Sequence, residues 1–120
     1  SPEAQRLMEQ LSRTKWQDRE QAARRLGGLR SDAAAAAPAL RQSLEDHSEE
    51  VRKAAAGALA SLGPAALSEL RMVLLGGTRD ARFHAAHALG RIGAPAVPYI
   101  EDLLAHEDED VRFRTAYALS

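Results

Sequence analysis

One segment of this chain occurs three times, with its copies thirty residues apart. The first copy begins at Glu50, the second at Asp80 and the third at Asp110. Each copy opens with a carboxylate, an apolar residue and an arginine, continues through alanine-rich positions and reaches a leucine. Repetition at this period indicates a stack of similar units, each of which buries its apolar side against the next.

Apolar residues within each copy recur at helical spacing. In the second copy, Leu89 and Ile92 fall on one face of a helix that also carries several alanines. The segment Gly93–Pro95 then ends this first helix and starts another, because glycine and proline interrupt helical hydrogen bonding. Val97, Ile100 and Leu104 are the predicted core positions of the second helix. Each complete unit is therefore a helix, a tight turn and a second helix.

The same register holds along the whole chain. Leucines of second and first helices lie fifteen residues apart in the pairs Leu11 and Leu26, Leu44 and Leu59, Leu74 and Leu89, and Leu104 and Leu119. The sequence therefore predicts an all-α fold: a right-handed α-solenoid of antiparallel helix pairs with about eight helices.

We place all 120 residues in a single domain. A partial repeat covers 1–14, full repeats cover about 15–47, 48–77 and 78–107, and a second partial repeat covers 108–120. Extra residues around Leu29 to Ala36 predict a longer turn in the first repeat. The last copy stops at Ser120, before the Gly-x-Ile-Gly ending of the second copy, so we expect the chain to be a fragment of a longer one.

These repeats resemble HEAT repeats, in particular the short type of the phycobilisome-lyase family. The pattern Asp-x-Val-Arg-x-x-Ala-Ala-x-Ala-Leu-Gly-x-Ile-Gly and the Pro-rich turn after it match Asp80–Leu104 almost throughout, Glu50–Leu75 well and Asp18–Leu44 loosely. The resemblance implies an armadillo-like superhelix with first helices on the convex surface and second helices on the concave one. It is specific for the fold and leaves the function open.

Composition excludes several classes of function. With 16 basic and 17 acidic residues the formal net charge is −1, which disfavours nucleic acid and anionic membranes as partners. The absence of cysteine excludes disulfides and thiolate metal sites. No apolar run approaches the ~20 residues of a membrane span, and no signal-peptide pattern is present. We therefore expect a cytoplasmic protein, and the arginine and alanine bias is typical of a bacterial one.

A column of arginines marks the start of the first helices: Arg19, Arg52, Arg82 and Arg112. Carboxylates stand beside this column at Glu50, Asp80 and Asp110. The pattern predicts a structural ladder of charge-assisted hydrogen bonds between repeats. A site for phosphate or an acidic peptide is the alternative.

Two candidate partner-binding surfaces follow from the register. The first is a convex patch on the sides of the first helices that face away from the apolar stripe: Phe83, His87, Phe113 and Tyr117. Clustered exposed rings are typical of interfaces. The second is a concave groove along the second helices, lined by Arg41, Arg71, Met72, Tyr99 and Glu101. A peptide bound along this groove and an empty solvated groove are both open interpretations.

Other residues point to no chemistry. His84 and His87 form a His-x-x-His on a helix, but a third ligand is missing from that face, so we interpret both as surface histidines and expect no metal and no cofactor. Trp16 precedes the helix that contains Asp18 and is interpreted as a hydrophobic staple, with a ligand contact as the alternative. No spacing suggests a nucleophilic triad or a phosphate loop.

The sequence thus favours a non-catalytic scaffold or adaptor module that binds another protein, a peptide or another domain of its own chain. Self-association through the C-terminal helix is a further possibility. Two alternatives stay open at this point. The resemblance allows a subunit of a phycobilin lyase-like enzyme, and some related solenoids bind nucleic acid.

Overall fold

A computed structural model describes residues 1–120 as α-helices and short 3₁₀ helices, with no strand. The eight α-helices are α1 (Pro2–Gln10), α2 (Trp16–Gly28), α3 (Ala37–Ser43), α4 (Glu49–Leu62), α5 (Leu67–Gly76), α6 (Arg79–Ile92), α7 (Val97–Ile100) and α8 (Glu109–Leu119). The 3₁₀ helices are Arg30–Ala36, Gly63–Ala66, Ala94–Ala96 and Glu101–Ala105. The longest of them, Arg30–Ala36, is the extended turn of the first repeat.

Side chains supplied by the repeat cap the first helices. The hydroxyls of Ser48 and Thr78 each accept a hydrogen bond from a backbone N–H three residues further on, at the start of α4 and α6. The Asp108 carboxylate accepts from the N–H groups of Asp110 and Val111 at the start of α8. Such caps satisfy N–H groups that have no partner inside the helix. The acidic run before α8 therefore has a local structural role.

Glycines end two of these helices. Gly63 after α4 has a φ of 66° and Gly93 after α6 has a φ of 82°, in a region of the backbone map that side chains disfavour. Arg30 occupies the equivalent position after α2, with a φ of 51°. The first repeat therefore turns through an arginine where the later repeats use glycine.

The helices form two layers that extend along a molecule of 40 × 26 × 18 Å. The first-helix layer contains α2, α4, α6 and α8, which pack on one another in chain order. The second-helix layer contains α1, α3, α5 and α7. Their order along the chain is that of a stacked α-solenoid.

Within this stack each second helix packs most extensively on the first helix that follows it. α1 packs on α2, α3 on α4 and α5 on α6, while the 3₁₀ helix Glu101–Ala105 packs on α8. The boundaries that we predicted near residues 14, 47, 77 and 107 thus separate helices that are packing partners. The 3₁₀ segments explain the difference, because they hold α4 apart from α5 and α6 apart from α7. The chain is better described as four helix pairs.

The first-helix layer is the more tightly packed of the two. Its helices contact one another much more extensively than α3, α5 and α7 do. Small residues permit this approach: a Cβ placed on Gly27 in α2 would lie 2.9 Å from the Cα of Ala58 in α4. In a curved two-layer stack, the layer with the closer spacing lies on the inside of the curve. The packing therefore favours the concave side for the first helices, which the resemblance placed on the convex side.

The core lies between the layers and consists of the repeated leucines and alanines. Fully buried large side chains include Leu26, Leu40, Leu44, Leu59, Leu67, Leu70, Leu74, Leu89 and Ile100. Two predicted core residues, Val97 and Leu104, are instead exposed, and Leu103 is buried in place of Leu104. The 3₁₀ winding of Glu101–Ala105 explains this shift, because three residues per turn change which side chain faces inward.

One stretch is long and apolar enough to cross a membrane by length and composition. It is Glu49–Gly76, 28 residues with a window of mean hydropathy 1.4 that is 44% buried. In the structure this stretch is not one straight helix, because α4 ends before Gly63 and α5 begins at Leu67. Core helices of folded domains meet the same criterion of length and composition. Here the buried part of the stretch packs against neighbouring helices.

Candidate functional site

The aromatic patch, as we now call the surface of Phe83, His87, Phe113 and Tyr117, lies on the outward side of α6 and α8. Its three rings are 45%, 59% and 45% exposed for Phe83, Phe113 and Tyr117. The rings of Phe83 and Tyr117 stack with their centroids 6.5 Å apart. The structure therefore brings together exposed apolar rings from two neighbouring repeats.

Arg114 organises this cluster, although the repeat pattern did not predict it as a site residue. Its guanidinium carbon lies 5.6 Å from the ring centroid of Phe83 and 5.1 Å from that of Phe113. An arginine over two aromatic faces makes favourable cation–π contacts and fixes ring positions. Its position in the sequence could have indicated this role, because Arg114 directly follows Phe113 and is the equivalent of His84 one repeat earlier.

His84 is buried, which contradicts its interpretation as a surface histidine. Only 7% of this residue is exposed, and its ring packs edge-on against Phe83 with centroids 5.3 Å apart. Burial lowers the pKa of His84, and the positive charge of Arg52 lowers it further. The carboxylates of Asp80 and Glu49 act in the opposite direction without reversing the shift. His84 thus supports the aromatic patch from below, and only His87 of the pair is exposed.

The residues of the predicted concave groove do not form one continuous site. The Arg71 guanidinium donates to both carboxylate oxygens of Asp102, at 2.7 and 2.9 Å, and to the Tyr99 carbonyl oxygen at 2.7 Å. The hydrogen bond from Arg71 lowers the pKa of Asp102. Arg41 donates to the Glu69 carboxylate and lines a shallow hollow of about 340 Å³ with Met72.

Two consequences follow for this second-helix surface. Its two arginines are neutralised within the chain, by Glu69 and Asp102. Arg71, Tyr99 and Glu101 lie outside the hollow that Arg41 and Met72 share. The exposed large apolar side chains on the second-helix side are Met72, Leu75, Val97, Tyr99 and Leu104.

The arginine column makes two kinds of contact. Arg19, Arg52 and Arg112 each donate to the carbonyl oxygens of the residues five and six positions earlier, at 2.7–3.1 Å. These carbonyls belong to the turn that leads into each first helix. Arginines near a helix end can satisfy carbonyl groups that the helix leaves free. The column therefore clamps the turns between packed helices.

The same arginines also reach carboxylates in the next repeat. Arg19 donates to both carboxylate oxygens of Asp46, at 2.8 and 3.0 Å, and Arg82 donates to Asp110 at 3.0 Å. Arg52 is 4.0 Å from Asp80. Glu50 does not take part, contrary to its predicted place beside the column, because it accepts from the Ser48 hydroxyl instead.

Asp46 replaces Glu50 in the first step of this ladder. Burial of Asp46 favours its protonated form, but hydrogen bonds from Arg19 and from the Ser48 N–H outweigh burial and lower the pKa. The carboxylate thus stays ionised and joins α2 to the turn before α4.

The remaining candidates bring no further site together. Trp16 is the first residue of α2, not the residue before its cap, and is 38% exposed, so it does not occupy a staple position. No group of three or more histidines, aspartates and glutamates is arranged to hold a metal ion.

A stack of antiparallel helix pairs with an exposed aromatic patch on one layer defines a repeat protein of the α-solenoid class. A family model described as HEAT repeats matches residues 4–81. The chain belongs to the HEAT-repeat family, as its sequence pattern predicted. No curated protein matches the chain.

Solved structures share this fold. One engineered protein is 22% identical, with a TM-score of 0.55 over 96% of this chain and 60% of its own length. Another is 24% identical, with a TM-score of 0.58 over 97% of this chain and 36% of its own. A designed armadillo repeat protein in complex with the peptide (KR)4 is 21% identical, with a TM-score of 0.52 over 93% of this chain and 61% of its own. These likenesses confirm the predicted armadillo-like α-solenoid, and the chain spans less than two thirds of each of these proteins.

Proposed function

We propose that the chain is a protein-interaction module that binds a peptide or protein segment on its first-helix face through the aromatic patch. One observation carries this proposal: the rings of Phe83, Phe113 and Tyr117 are all about half exposed and lie together. Arg114 contacts Phe83 and Phe113, and Tyr117 stacks on Phe83. Tyrosine and arginine are enriched among the residues that contribute most to binding energy. The exposure of these rings to water does not stabilise the fold.

The position of the patch supports the proposal. The tight packing of the first helices favours the concave side for this face, and solenoids use extended concave surfaces for binding. A protein of similar fold, the designed armadillo repeat protein, is described in complex with a peptide. The molecule is 40 Å long, so an extended peptide of about twelve residues would span it.

Selection from a displayed library of random peptides of about this length tests the proposal. We expect the enriched peptides to bind wild-type protein and to lose at least about tenfold in affinity for the double variant Phe83→Ala/Phe113→Ala. The matched control is Met72→Ala, which removes an exposed apolar side chain from the other layer. Circular dichroism checks that all variants keep their helices.

Three results would contradict the proposal. These are a library that enriches no peptide, a double variant that binds as wild type does, and binding that depends on Met72 rather than on the rings. Sedimentation of the isolated chain shows whether the aromatic patch binds a second copy of the chain instead of a peptide. A dimer that dissociates in the double variant would make a second copy of the chain the partner.

A further inference from the structure

A cleft lined by basic side chains adjoins the aromatic patch on the same face. It has a volume of about 440 Å³ and lies between α2, α4 and α6. Its charged lining consists of Arg24, Arg30, Lys53 and Arg91, with no carboxylate among the ten lining residues. In a chain with a net charge of −1, this is a local concentration of positive charge.

Two of these cations have no partner inside the chain. Arg24 is paired with Glu20 at 2.9 Å, and Lys53 is 3.8 Å from Glu49. Arg30 and Arg91 form no ion pair and donate no side-chain hydrogen bond. An anionic ligand in the cleft would supply the acceptors that they lack.

Glycines open the floor of the cleft. A Cβ on Gly28 would meet no atom within 4 Å, and a Cβ on Gly57 would meet only the Arg91 guanidinium, at 3.7 Å. Ordinary side chains at these positions would fill the space. The cleft therefore admits a ligand close to the backbones of α2 and α4.

The cleft and the aromatic patch occupy the same positions of successive repeats. Arg24, Gly57, His87 and Tyr117 are one column of equivalent residues, and Lys53, Phe83 and Phe113 belong to another. Arg91 lines both the basic cleft and a second hollow of about 220 Å³ that includes His87 and Tyr117. A ligand that lies across the face would thus pass from the cations to the rings without leaving the surface.

We infer that this face binds an extended acidic peptide, with its carboxylates in the basic cleft and an adjoining aromatic or apolar side chain on the aromatic patch. This inference rests on the proposed function and names the partner class for the same face. Charge complementarity selects carboxylates for the cleft, and the exposed rings select an apolar neighbour.

Charge also argues for a peptide over single-stranded nucleic acid, although bases stack on rings as well. Beyond Phe113 the surface continues into a hollow lined by three carboxylates, Asp108, Glu109 and Asp110, and by two arginines, Arg79 and Arg114. A phosphate backbone that continued past the rings would meet these carboxylates. A peptide can carry its acidic residues at one end only.

Fluorescence anisotropy with a panel of labelled probes tests the inference. The probes are shuffled peptides of about twelve residues that contain acidic and aromatic residues, the same peptides with lysine for the acidic residues or alanine for the aromatic ones, and oligothymidylate. We expect the acidic–aromatic peptides to bind most tightly. Their affinity should fall by about tenfold in Arg30→Glu/Arg91→Glu and weaken with added salt.

Matched variants separate the causes. Arg6→Glu/Arg13→Glu makes the same change in net charge on and just after α1, at exposed arginines outside the cleft, and should bind as wild type does. Gly28→Leu extends a side chain into the cleft from a position where a Cβ meets no atom within 4 Å, without a change in charge, so it should weaken binding of acidic peptides as well.

The outcomes distinguish this inference from the proposed function. If peptides bind regardless of their charge and only Phe83→Ala/Phe113→Ala weakens them, the interaction module stands and the acidic-peptide inference is wrong. Tighter binding of lysine-containing peptides would also overturn it. If oligothymidylate binds more tightly than any peptide, the face is a nucleic-acid site and both are wrong. Both also fail if no probe binds.

Discussion

Among single residues, His84 has the environment that most alters its chemistry. It lies on α6 beside the Phe83 ring, and its pKa is lowered first by burial and then by the charge of Arg52. Lys53 acts in the same direction as Arg52, while Asp80 and Glu49 oppose them. Folding thus favours the neutral imidazole, whereas the unfolded chain takes up a proton near pH 6.5.

This difference predicts a pH-dependent stability. The stabilising effect of neutral His84 is complete above about pH 6.5 and is lost progressively as the pH falls towards the lowered pKa, because the unfolded state binds the proton more readily. Urea unfolding at neutral and mildly acidic pH should show a smaller loss of stability for His84→Gln than for wild type. His87→Gln, an exposed histidine of the same helix, is the control. Equal pH slopes for wild type and His84→Gln would contradict the assignment.

Backbone conformation at Arg30 gives a second prediction at this scale. Its φ of 51° is the only positive value outside glycine, and such a conformation costs an L-residue about 1–2 kcal/mol. Arg30→Gly should therefore leave the free energy of unfolding unchanged or raise it by up to about 1 kcal/mol, after the entropy of glycine is subtracted. Arg24→Gly, inside α2, should lower it by about 1 kcal/mol. If both variants lose stability equally in urea, the strain at Arg30 is absent.

At the scale of helices, the contact between α2 and α4 sets the close spacing of the first-helix layer. Gly27 makes this contact possible, since its missing Cβ would lie 2.9 Å from the Ala58 Cα and 3.2 Å from its Cβ. Real Cβ atoms do not approach backbone so closely. Any larger residue must therefore push α2 away from α4.

Adjacent glycines allow a matched test of this contact. Gly27→Ala should lower the free energy of unfolding by about 1–3 kcal/mol, because overpacking forces the two helices apart. Gly28→Ala meets no atom within 4 Å and should be neutral or stabilise by up to about 1 kcal/mol through helix propensity. Thermal and urea unfolding measure both. Equal effects of the two substitutions would show that α2 and α4 can separate without cost.

The sequence predicted the helices and their apolar stripe because these depend on local spacing. Leu26, Leu59 and Leu89 are all fully buried, as their register required. It did not predict the burial of His84, because the neighbouring repeats carry alanine and arginine at that place and only the packed neighbours decide the exposure. The register set the predicted repeat boundaries, but it did not show how extensively each second helix packs on the first helix that follows it.

Side-chain partners across repeats were harder to predict than the columns themselves. Glu50 was expected beside the arginine column, yet Arg19 binds Asp46 and Glu50 accepts from Ser48. The two carboxylates lie in the same turn region, and the direction of a long side chain depends on the three-dimensional path of that turn. The basic cleft was missed for a related reason, because Arg24, Arg30 and Arg91 come together only when α2 and α6 flank α4.

At the scale of the whole molecule, stability should be distributed between neighbours along the stack. Each helix pair contacts mainly the pairs before and after it, and the arginine column joins them one step at a time. A stack of this kind unfolds as a chain of nearest-neighbour interfaces. A substitution at one of these interfaces should therefore lower the stability mainly of the helices next to it.

Hydrogen exchange can locate such an effect. Arg82→Gln removes the ion pairs with Asp110 and Asp108, both in the last helix pair, and should lower the local stability by about 1–2 kcal/mol. Amide exchange should then accelerate in α8 and stay unchanged in α2. Arg19→Gln, which removes the pair with Asp46, should accelerate exchange in α2 and leave α8 unchanged. If either variant accelerates exchange equally in both helices, the four helix pairs open as one cooperative unit and the nearest-neighbour description of this stack is wrong.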